Sequence, residues 1–75
     1  MYVIVAGGGK VGFYLTKTLL SEGYEVLLIE RDPGKVESFQ EQLGAVAIVG
    51  DGAEAQTLKL AGAGRADVVI AVTGE

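Results

Sequence analysis

The 75-residue chain carries 6 Lys and Arg against 10 Asp and Glu, a formal net charge of −4, with 49% apolar residues, 12 Gly, and neither Cys nor His. Such a composition describes one small globular domain, or part of one, and excludes disulfide staples, thiolate metal sites and a histidine proton shuttle. The acidic balance argues against nucleic acid or anionic lipid as a main partner, since both need a basic face.

No apolar run approaches the ~20 residues of a membrane span. The opening Met1 to Val5 lacks the basic start and the length of a signal peptide. A soluble, cytoplasmic chain is therefore expected. At this length folding hides only about 60% of the unfolded surface, so a ligand or partner is expected to add stability.

In chain order, Val3-Ile4-Val5-Ala6 is a β-branched run closed by three glycines, as suits a strand covered on both faces. From Lys10 to Glu22, Val11, Leu15 and Leu19, with Tyr14 and Thr18 alongside, recur at helical spacing and predict an inward stripe, which Gly23 ends. Glu25 to Glu30 reads as a second buried strand with a carboxylate at each end. Asp32-Pro33 then starts a helix, because Asp caps free N–H groups and Pro at the first position loses no hydrogen bond. Val36, Phe39 and Leu43 form its inner stripe, and Gly44 stops it.

Ala45 to Val49 is the third strand, Glu54 to Ala61 a short helix with Leu58 inward, and Asp67 to Val72 a fourth, thoroughly apolar strand. Tyr2, Tyr14, Tyr24 and Phe39 read as packing residues, with Phe13 open between packing and stacking. Alternating strands and helices predict an α/β, Rossmann-like parallel sheet in the order 3-2-1-4. The fourth strand is then an edge despite its apolar sequence. Residues 1–75 are thus expected to be the first half of a larger doubly wound domain, or to have that edge covered by a second copy.

Gly7-Gly8-Gly9-Lys10-Val11-Gly12 is a G-x-G-x-x-G between the first strand and the first helix. Gly7 allows the tight turn, Gly9 lets the backbone approach a pyrophosphate, and Gly12 lets the helix lie close on the sheet. The first turn, with Lys10 and Val11, then offers N–H groups and a positive dipole end to the phosphates. Lys10 either touches a phosphate or stays solvated. A P-loop is excluded, because Lys10 is followed by Val11 in a segment without G-x-x-x-x-G-K-[ST].

Glu30 ends the second strand 18 residues after Gly12, at the position of a ribose-binding carboxylate. An acid there favours NAD over NADP by repelling a 2′-phosphate, while Arg31 beside it leans over an adenine or reaches a phosphate. Ligands of open α/β sheets lie outside the carboxyl ends of the strands, which brings in Asp51, Gly52, Thr73 and Gly74. Asp51 either accepts from an adenine amino group or caps the short helix after it. Thr73 and Gly74 face the phosphates or the second half of a dinucleotide.

These segments together, Val3 to Gly12, Leu27 to Pro33, Ile48 to Gly52 and Ala66 to Gly74, resemble the N-terminal nucleotide-binding (RCK or KTN) domain of TrkA/KtrA-type regulators of potassium transport. The resemblance runs through nearly all of the chain with its spacing kept. It implies a cytoplasmic regulatory subunit that binds NAD(H) or ATP/ADP and assembles into homo-oligomers on a membrane potassium transporter or channel. It carries Gly7, Gly9, Gly12, Glu30 and Asp51 over as ligand contacts, with Thr73 and Gly74 after them. The family pattern often continues after the aspartate with a hydroxyl residue and another acid, where this chain has Gly52-Ala53-Glu54.

Without His and without room for a substrate domain, the residues favour a regulatory, non-catalytic module. The alternative is the NAD-binding start of a dehydrogenase whose catalytic residues lie beyond residue 75.

Overall fold

The computed structural model describes residues 1–72. The elements are β1 (Tyr2–Ala6), α1 (Gly9–Ser21), β2 (Glu25–Glu30), α2 (Pro33–Leu43), β3 (Ala47–Val49), α3 (Ala55–Leu60), a 3₁₀ turn (Ala63–Arg65) and β4 (Val68–Ala71). All pairings are parallel and the sheet order is β3-β2-β1-β4, as the sequence predicts. In register, Ile4 stands between Leu27 of β2 and Val69 of β4.

Strand alternation divides the core between the two faces of the sheet. Val3, Val5, Val26, Leu28 and Ala47 point to one face and meet Phe13 of α1 with Val36 and Phe39 of α2. Ile4, Ile29 and Tyr2 point to the other, where Ala61 closes over them with Leu58 and Ala63 at the margin. This opposite-facing placement follows from the connectivity: two right-handed crossovers run outward from β1 to β3, and the third returns past β1 on the opposite side.

Local chemistry sets the ends. Asp32 takes an extended conformation and its Oδ1 accepts from the N–H of Gly34 at 2.9 Å, capping α2 as expected. At the amino ends of the strands, the N–H of Tyr2 donates to Asp67 Oδ2 and its hydroxyl donates to the Ala61 carbonyl. The Arg65 guanidinium lies 4.0 Å above the Tyr2 ring and 3.3 Å from Glu25, so the 3₁₀ turn is held against β1 and β2.

Four expectations change. The buried face of α1 is Gly12, Phe13 and Thr16, with Leu15, Leu19 and Leu20 half-buried. Val11 (63% exposed), Tyr14 (61% exposed) and Thr18 face outward instead of forming the inward stripe. The glycine turn rotates the helix so that its side-chain-free position lies nearest the sheet, and Phe13 follows Gly12 inward. Phe13 is therefore a core residue, stacked on Phe39 at 4.8 Å, while Tyr14 only meets the Phe13 ring edge.

The fourth strand, an edge as predicted but with the apolar sequence of a buried one, has Val68 and Val69 at 39% and 43% exposed, because only β1 flanks it among the described residues. The third strand starts at Ala47 and not at Ala45, since Leu28 N–H pairs first with the Val46 carbonyl. The short helix starts at Ala55, with Glu54 as its N-cap residue.

Candidate functional site

A cleft of about 700 Å³ opens at the carboxyl ends of β1, β2, β3 and β4. Its volume lies within the range of about 300–1,000 Å³ usual for small-molecule sites. Its floor and walls are the Gly7–Val11 loop, the end of β2 with Glu30 and Arg31, Lys35 of α2, the Gly50–Ala53 turn, and Val72.

The loop is built from backbone conformations that favour glycine. Gly7, Gly8 and Gly9 have φ of 82°, 92° and 48°. A Cβ on Gly7 or Gly8 would collide with Val72, and one on Gly12 would strike the Gly7 carbonyl, with Leu28 Cδ1 also near at 3.3 Å. Gly12 thus seats α1 on its own turn as well as close to β2. Gly9 differs. Outside its own chain neighbours and helix turn, its missing Cβ would meet only Lys35 Nζ, at 3.6 Å, so the space above Gly9 belongs to the cleft.

Hydrogen bonding marks the same spot. Gly7 N–H donates to the Ile29 carbonyl, and Val11 and Gly12 N–H both donate to the Gly8 carbonyl. The N–H groups of Gly8, Gly9 and Lys10 have no acceptor among the described residues. Those three donors at the positive end of α1 suit an anion. Val11, predicted to serve the site through the first turn, has its N–H engaged by Gly8 and offers the cleft a side chain.

Across the cleft Glu30 is 8% exposed, and its Oε2 accepts from the Asp32 N–H at 2.9 Å. That bond fixes one carboxylate oxygen; Oε1 has no donor among the described residues, and Glu30 lines the cleft. The Asp51 carboxylate folds its own turn, with Oδ1 accepting from Ala53 N–H at 2.9 Å and the carbonyl accepting from Glu54 N–H. It does not cap α3, so the capping alternative falls away. Gly52 is set by packing, since a Cβ there would stand 2.7 Å from that of Ala6, but it also lines the cleft.

The structure therefore brings Gly7, Gly9, Lys10, Val11, Glu30, Arg31, Asp51 and Gly52 to one cleft, with Gly12 directly beneath it. Thr73 and Gly74 lie outside the described residues. Two residues escape the sequence reading. Gly8 fills a variable position of the motif, and only its positive φ and the nearness of Val72 reveal the constraint. Lys35 follows Glu30 by five residues, and the capped start of α2 brings it over Gly9; the Asp32-Pro33 signal marks the helix start but not this approach across the cleft. Three of the chain's six cationic side chains, Lys10, Arg31 and Lys35, line this cleft in a molecule of net charge −4.

A neutral glycine floor, free N–H donors, a seated carboxylate and nearby cations fit a ligand combining phosphates with a sugar hydroxyl. Among the described residues no helix is long and apolar enough to cross a membrane.

Comparison with known proteins agrees with the segments quoted above. The chain is 40% identical over 74 residues to the Trk system potassium uptake protein TrkA homolog of Methanothermobacter thermautotrophicus, covering 99% of this chain and 34% of that protein. It is 42% identical over 74 residues to the protein of the same name from Archaeoglobus fulgidus, covering 99% of this chain and 16% of that protein. The Trk system potassium uptake protein TrkA of Azorhizobium caulinodans is 36% identical over 73 residues, covering 97% and 16%. The chain thus spans from about a third to about a sixth of the length of these relatives. The family model of the TrkA-N domain matches residues 3–75, and the chain belongs to the TrkA-N domain family.

Proposed function

We propose that the chain is the nucleotide-binding module of a cytoplasmic regulatory subunit of a potassium transport system, with NAD(H) the first candidate ligand and ATP or ADP the second. Family membership and the names of the relatives support the transport role. The observation that carries nucleotide binding is that the open space above Gly9, three N–H groups with no acceptor among the described residues and the seated Glu30 carboxylate belong to residues lining one cleft.

In this reading the pyrophosphate lies over Gly9 against the N–H groups of α1, and Glu30 Oε1 accepts from a ribose hydroxyl. The chain itself performs no chemistry on the ligand. Binding acts by favouring one arrangement of protomers in a homo-oligomer attached to the membrane transporter, a coupling commonly worth about 1–3 kcal/mol.

Calorimetric titration with NAD, NADH, ATP, ADP and NADPH tests the reading. Gly9→Ala adds one methyl to the cleft at a cost of about 1–2 kcal/mol for its left-handed φ. It should keep the fold by circular dichroism and lose nucleotide binding. Glu30→Ala should weaken NAD binding and narrow the preference over NADPH. Retained affinity in both variants, or no binding of any nucleotide by the parent chain, overturns the proposal.

A further inference from the structure

Lys35 lines the cleft without a role in the reading above. Lys35 is the third residue of α2, next to the buried Val36 and one position after the Gly34 N–H that Asp32 caps, so its backbone is fixed. Its Nζ reaches from α2 toward the start of α1 and, outside Gly9's own chain neighbours and helix turn, is the nearest atom, 3.6 Å, to the position a Gly9 Cβ would take; Arg31 does not come within 4 Å of that point. Lys35 is also unpaired among the described residues, where the one salt bridge joins Arg65 to Glu25, although Glu30 and Asp51 line the same cleft.

An ammonium standing over an uncharged floor, on a net acidic chain, with no carboxylate paired to it among the described residues, suits an incoming anion. Resting on the nucleotide reading above, we propose that Lys35 is a specificity-determining residue that pairs with phosphate oxygens lying over Gly9. The phosphates are then read from two helices at once, by main-chain N–H groups of α1 and by a side-chain cation of α2. The shared chemistry is a nucleoside phosphate, either the diester diphosphate of a dinucleotide or the free diphosphate of a mononucleotide. A nucleoside without phosphate gains nothing from Lys35.

The test titrates the 75-residue chain with ADP, NAD and adenosine, as the parent and as Lys35→Gln, Lys35→Arg and Lys17→Gln. Lys17 lies on the exposed side of α1 away from the cleft and controls for overall charge. Lys35→Gln should weaken a phosphate ligand on the order of 5-fold at low salt, an effect that shrinks as salt rises. It should leave adenosine unchanged, while Lys35→Arg restores most of the affinity and Lys17→Gln moves none.

A loss confined to ADP assigns Lys35 to the free terminal phosphate, and one confined to NAD assigns it to the diester; either supports the proposal. Equal affinities for ADP and NAD in the parent and Lys35→Gln overturn it, as does an equal loss for adenosine, which would mark a structural role. A parent chain that binds none of the three ligands overturns the function proposed above, and this pairing with it. Binding by the parent that is insensitive to Lys35 overturns the pairing alone.

Discussion

Under α1 and α2 the sheet buries eight side chains in one cluster, two of them stacked phenylalanines, whereas the α3 side buries four under a six-residue helix that buries none of its own. The groups that face the cleft divide along the same line. The Gly7–Gly9 loop opens α1, Glu30 ends the central strand beneath α2, and Lys35 starts α2. The Gly50–Ala53 turn belongs to the thinner side. The difference teaches that the proposed phosphate and sugar contacts are mounted on the well-packed part of the molecule, where positions are held closely enough to recognise a ligand.

The strongest attack on that comparison is Leu28→Ala. Leu28 is fully buried on the α1–α2 face, and its removal should cost about 4 kcal/mol by urea denaturation, most of what a chain this short possesses. A cost near that of a surface change would show the two sides to be equally loose. Next comes Gly12→Ala, whose methyl meets the Gly7 carbonyl and Leu28; forcing α1 off its seat should cost about 3 kcal/mol in the same assay.

Asp32→Ala removes the cap of α2 and should lower stability by about 1 kcal/mol. An unchanged denaturation midpoint would mean that α2 is set by packing alone. The smallest effect belongs to Val69→Ala at the sheet edge, expected within about 0.5 kcal/mol because the side chain is 43% exposed. A loss several times larger would place hidden packing on the side described here as thin.

Much of this was legible in the residues because the relevant signals are local. Glu25–Glu30 and the Asp32-Pro33 start appear where expected, since a strand buried on both faces reads as an unbroken apolar run and a cap needs only its own neighbours. The strand order also follows, because three crossovers of one hand and a glycine turn leave few topologies. The rotation of α1 was not legible. Val11, Leu15 and Leu19 make a plausible stripe, yet tertiary seating of Gly12 on the Gly7 carbonyl decides which side turns in.

The edge position of β4 was legible from the strand order, but the exposure of its side chains was not: Val68 to Val72 has the composition of a central strand, and composition does not count neighbours. Lys35 and Gly8 depend on contacts across the cleft, with Gly9 and Val72 respectively, which no spacing rule expresses.

The Met1 carbonyl accepts from the Glu25 N–H, while the next residue is tied by its amide to Asp67. β1 then runs five residues before it reaches the glycine turn, a separation of roughly 13–17 Å at about 3.3 Å per residue. A fluorophore or tether joined at Met1 consequently departs from the end of the sheet remote from the proposed nucleotide cleft. Surface immobilisation or fluorescence labelling through that terminus therefore leaves the ligand mouth pointing into solution, which makes it the preferred handle for measuring affinity.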